Sequence, residues 1–137
     1  MKKQTPITKV FIHATAALMA IAAPLSAAGL LVAFGDFDHD GLVDVAEVTS
    51  PRTITVSLAN PDGSYTVSAI LSAPKNQQIS DIGLYDRDGD GDLDLYAVSP
   101  AGGTSWYSYT WSGNGDGTFG PRTTEKWSWP KGRRGFF

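Results

Sequence analysis

Two acidic loops of almost the same spelling, 50 residues apart, constrain this chain more than any other feature. The first reads Asp36-Phe37-Asp38-His39-Asp40-Gly41-Leu42-Val43-Asp44, and the second Asp86-Arg87-Asp88-Gly89-Asp90-Gly91-Asp92-Leu93-Asp94. A second landmark follows each loop: Asn60-Pro61-Asp62-Gly63-Ser64-Tyr65, then Asn114-Gly115-Asp116-Gly117-Thr118-Phe119, 54 residues on. Two different landmarks recurring in one order mark a duplicated unit, and such a unit must bury its apolar face on its neighbour. The four extra residues of the second copy fall between loop and turn, where Ala101-Gly102-Gly103-Thr104 predicts a longer hairpin connection.

The segments between the landmarks read as strands. Thr53-Ile54-Thr55-Val56-Ser57-Leu58 alternates polar and apolar, the period of a half-buried strand. Leu30–Phe34, Val43–Val48 and Tyr65–Leu71 complete the first copy. Ile79–Tyr85, Leu93–Val98, Trp106–Trp111 and Thr118–Thr124 make the second. The predicted fold is all-β: two four-stranded antiparallel repeats of about 50 residues, the size of one propeller blade. Fifteen glycines and eight prolines suit a chain of short strands and turns.

The head differs from the rest. Lys2, Lys3 and Lys9 precede an apolar run from Val10 to Ala23, then Pro24, Ser26, Ala27 and Ala28, with no acid before Asp36. A basic segment, a short apolar run and small residues before a cut describe a secretory signal over residues 1–28, with cleavage after Ala28. The run is too short for a bilayer span, which needs about 20 residues. The predicted mature domain is 29–137, with repeat one over about 29–74 and repeat two over about 75–137, secreted or periplasmic. It has no cysteine and therefore no disulfide, and it holds 8 bases against 14 acids. Such a body makes a poor nucleic-acid binder and a plausible cation binder.

Asp-x-Asp-x-Asp-Gly-x-x-Asp offers side-chain oxygens at positions 1, 3, 5 and 9 and a backbone carbonyl at position 7, with glycine at position 6 for the sharp turn. That hard oxygen set suits Ca²⁺ better than Mg²⁺, which keeps its waters. Without a cation, four carboxylates in nine residues repel one another. The predicted ligands are Asp36, Asp38, Asp40, Asp44 and the Leu42 carbonyl in one loop. In the other they are Asp86, Asp88, Asp90, Asp94 and the Asp92 carbonyl, giving about two Ca²⁺ per chain. Glu47 completes an EF-hand spacing in the first loop, but Ala97 breaks it in the second, and the flanks are strand-like rather than helical.

These residues resemble FG-GAP/VCBS-type repeats, the calcium-binding blades of integrin-alpha-like β-propellers. Phe34 through Val45 and Leu84 through Leu95 look like that family's Asp-loop motif, and Asn114 through Gly120 like its closing turn. The resemblance implies an Asp loop joining two adjacent strands of a blade, rigidified by Ca²⁺, in a module for adhesion or for carbohydrate or protein binding. The chain departs from the family in count, because a closed propeller needs typically four to eight blades. A fragment, a ring completed by several chains, or a two-blade sandwich tied by calcium would each reconcile the difference.

Catalysis finds no constellation. His39 is the only histidine beyond the signal and occupies a non-ligand loop position, expected to point outward as a solvated side chain. Glu47 and Glu125 remain among the carboxylates outside the loops, with no constellation around them. The expected role is noncatalytic adhesion or recognition, with an extracellular protein or glycan, or further copies of the chain, as partner. A lectin-like reading would use the face shared by Tyr107, Tyr109 and Trp111, although small all-β domains bury most large aromatics. An accessory fragment of an extracellular enzyme is the third reading.

Overall fold

A computed structural model describes residues 31–129; the predicted signal and the basic tail 131–137 lie outside them. Within them the chain forms β1 (Val32–Gly35), β2 (Asp44–Ser50), β3 (Thr53–Ala59), β4 (Tyr65–Ser72), β5 (Asp81–Tyr85), β6 (Asp94–Gly102), β7 (Ser105–Trp111) and β8 (Thr123–Ser128), with no helix. They make two antiparallel four-stranded meanders, β1-β2-β3-β4 and β5-β6-β7-β8. The registers repeat with the sequence. Phe34 pairs with Val45 as Leu84 pairs with Leu95, and Thr55 pairs with Ile70 as Tyr109 pairs with Thr124.

Two expectations change. The extra residues of the second copy do not lengthen the hairpin turn, which is two residues in both repeats (Pro51-Arg52 and Gly103-Thr104). They lengthen β6, which runs nine residues against seven in β2 while β7 matches β3 at seven, with Gly102 and Gly103 at positive φ where the chain reverses. The last strand also starts later than Thr118. Phe119 makes only an isolated bridge to Gly113, and Gly120-Pro121 follows, where proline offers no N–H to the ladder. In the first repeat the equivalent Ala59–Tyr65 pair opens a continuous ladder.

The sheets pack face to face over one core. Ala46, Val48, Ile54, Val56 and Leu71 line the first sheet's inner face, and Ile82, Leu95, Ala97, Tyr109 and Trp111 line the second's. Tyr109 and Trp111 are buried and Tyr107 packs partly buried against this core, so the face offered to a lectin-like reading is interior. Beyond the sheets, Phe37 of the first Asp loop meets Phe119 edge-on at 5.6 Å, and Gly117 N–H donates to the Phe37 carbonyl at 3.1 Å. The first repeat's loop is thus held by the second repeat's turn.

Candidate metal centres

Each Asp loop is the connection between the first two strands of its sheet, residues 36–43 between β1 and β2 and 86–93 between β5 and β6. The turn is made by the carboxylates themselves. Asp36 accepts from the Asp40 N–H at 3.2 Å through one oxygen and from Gly41 N–H at 2.9 Å through the other. Asp38 accepts from Asp40 N–H and Asp40 from Leu42 N–H. The second loop repeats this pattern: Asp86 accepts from Asp90 and Gly91, Asp88 from Asp90, and Asp90 from Asp92. Gly41 and Gly91 both take positive φ, the conformation position 6 requires.

The result is two convergent triads. Oxygens of Asp36, Asp38 and Asp40 lie within 4.8 Å of one another, as do those of Asp86, Asp88 and Asp90. Either group could hold a metal ion. The electrostatics record the crowding. The Asp38 carboxyl is raised by burial and by its neighbours Asp40 and Asp36, against a lowering backbone bond. Asp88 is pulled down by the Asp90 N–H, yet desolvation and the charges of Asp90 and Asp94 leave it raised. Asp86 is lowered, chiefly by the Gly91 N–H. A cation would favour all three charged forms.

The ninth position of each loop is placed differently. Asp44 and Asp94 lie outside both triads, fully buried at the start of β2 and β6. Asp44 takes the Phe37 N–H at 2.7 Å on one oxygen and the Ala59 N–H at 2.8 Å on the other. Asp94 does the same with Arg87 at 2.8 Å and Gly113 at 2.9 Å. Each carboxylate therefore latches the start of its loop to the far end of β3 or β7. Burial pushes the Asp44 carboxyl up to about 6 despite those bonds, with Asp38 and Asp40 adding to the rise. Gly113 is required beside this latch, because any Cβ there would fall on the Leu93 carbonyl oxygen. A signal for the latch was present in the sequence: each Asp stands directly before apolar strand residues, Val45-Ala46 and Leu95-Tyr96.

Asp92 contributes more than a carbonyl position. Its side chain accepts from or ion-pairs with His39 of the first loop at 2.7 Å, which raises the His39 ring above its ordinary value. His39 is half-exposed and adopts φ 62° where the second loop has Gly89 at 76°. The expected solvated, partnerless histidine is instead a bridge between the loops. No spacing rule could reveal it, because His39 and Asp92 are 53 residues apart.

The closing turns are as alike as the loops. Asn60 and Asn114 each bond the residue four ahead through backbone and side chain, and Asp62 and Asp116 cap Ser64 and Thr118. A family model for FG-GAP-like repeats matches residues 36–97, from the first Asp of loop one through the whole of loop two into β6. The chain carries an FG-GAP-type repeat region over these residues. Neither a curated protein nor a solved structure matches it. Among the described residues, no helix is long and apolar enough to cross a membrane.

Proposed function

We propose that this FG-GAP-type protein is an exported, noncatalytic module for adhesion or recognition whose Asp loops bind about two Ca²⁺. The observation that carries the reading is the pair of matching aspartate triads, each built by the same backbone bonds on the same strand connection. An all-oxygen donor set of negative charge favours a hard divalent cation, and calcium tolerates the irregular, many-oxygen coordination such a loop offers. When bound, the ion would offset most of the triad's negative charge and tie each loop to its sheet. Binding energy gained only in the folded state adds to stability. The partner is taken to be an extracellular protein or glycan.

Calorimetric calcium titration of the chain tests this, with Asp38→Ala and Asp88→Ala beside the wild type. Stoichiometry near two, falling to near one in each variant, is expected. A calcium-dependent rise in melting temperature should shrink in both variants. Identical melting of all three proteins with and without calcium, and no binding heat, would end the metal reading.

A further inference from the structure

The two sheets do not meet through equivalent faces. The first sheet's inner face carries Ala33, Ala46 and Val48, whose counterparts 50 residues on are Gly83, Tyr96 and Val98. Those lie on the second sheet's outer face, opposite Ile82, Leu84, Leu95 and Ala97. Conversely, the residues the second sheet turns inward correspond to Val32, Phe34, Val45 and Glu47, which the first sheet turns away from the core. The packing inside the chain is therefore head to tail. The two faces left over are the two halves of one more copy of the same interface.

Both leftover faces carry large apolar side chains exposed to solvent. On the first sheet Phe34, Val67 and Ile70 are 45%, 56% and 67% exposed, although large side chains in strands normally find cover. On the second, Tyr85 meets Tyr96 edge-on at 5.3 Å, and Trp106 stacks on Trp127 at 6.3 Å. Open grooves of about 420 and 450 Å³ lie beside these rings. A further complementarity sits at the middle of the faces. Where the inner interface has two alanines, Ala46 and Ala97, the leftover faces have Tyr96 and Glu47. Glu47 is 1% exposed, and neither of its oxygens has a hydrogen-bond partner among the described residues. A tyrosine hydroxyl donates, and a buried carboxylate without a donor is costly.

We infer that a second copy of this chain docks head to tail, the Phe34/Val67/Ile70 face of one on the Tyr85/Tyr96/Trp127 face of the next, continuing the interface already formed within the chain. Such a heterologous contact closes into a ring or extends as a filament, according to the rotation per step. It uses neither Asp triad, so it stands apart from the calcium reading.

The test uses the exported full chain in calcium, with Ile70→Glu and Trp127→Glu as variants spoiling one face each, all checked for native circular dichroism. Sedimentation should give a multi-chain mass for the wild type and a one-chain mass for each variant. Mixed in equal amounts, the two variants still own one sound face of each kind, so they should form a one-to-one dimer and nothing larger. A face-to-self contact would instead leave one variant assembled on its own, and that result overturns the inference. So does a monomeric wild type, whether another segment or another partner covers the faces. Calcium stoichiometry near two in such a monomer would leave the metal reading standing while the assembly reading fell.

Discussion

Replacing Asp94 with asparagine separates a backbone latch from a metal ligand. The buried carboxylate accepts the Arg87 N–H on one oxygen and the Gly113 N–H on the other. Asparagine keeps the shape but only one acceptor, and its NH₂ then faces a backbone N–H. A hydrogen bond to a charged group contributes about 1.5–3 kcal/mol, and a buried donor left without a partner costs about 1–3 kcal/mol. Release of the buried charge offsets part of this, so the net loss should be about 2–4 kcal/mol. That is a large share of the roughly 5–15 kcal/mol available to a small domain. With a urea m-value of about 1–3 kcal/mol/M, the unfolding midpoint should fall by roughly 1–3 M. The measurement belongs in chelator, where no cation can contribute. A variant as stable as the wild type in chelator, weakened only when calcium is present, would refute the latch and favour Asp94 as a ligand.

Asp44 gives the fold a pH dependence. Its carboxyl is held at about 6 in the folded chain against an ordinary 3.8, so the folded state binds the proton more tightly than the unfolded state. The contribution is neutral below the ordinary value, turns unfavourable as pH rises through 4 to 6, and levels off above 6 at a loss on the order of 3 kcal/mol. Denaturation in chelator across that range should show the loss, and Asp44→Asn should flatten it; an unchanged slope contradicts the assignment. The His39 ring should titrate above its ordinary value by NMR, and Asp92→Asn should lower it. A ring indifferent to Asp92 would mean that the bridge between the loops does not form in solution.

How far the chain could be read in advance depends on whether the cause is local. The strand order, the Asp loops and the closing turns were legible because each rests on short-range chemistry. Alternation sets the sheet faces, glycine at positive φ permits the loop turn, and an Asp or Asn two to five residues away supplies its bonds. The burial of Tyr109 and Trp111 also followed from the tendency of small all-β domains to bury most large aromatics. The start of β8 was misplaced because the break depends on how Gly120-Pro121 leaves the ladder after Phe119 has already paired.

Sequence by itself determined that there would be two antiparallel blades carrying two carboxylate-built loops. Each repeat spells its own strands, turns and donor set within some 50 residues. Tertiary structure alone decided what the side chains of those loops reach. It turned Asp44 and Asp94 inward to distant N–H groups, drew His39 across to Asp92, and left Glu47 buried without a donor among the described residues. It also chose which face of each blade meets the other. That choice cannot be read from periodicity, because alternation marks two faces of a strand without saying which neighbour each will meet.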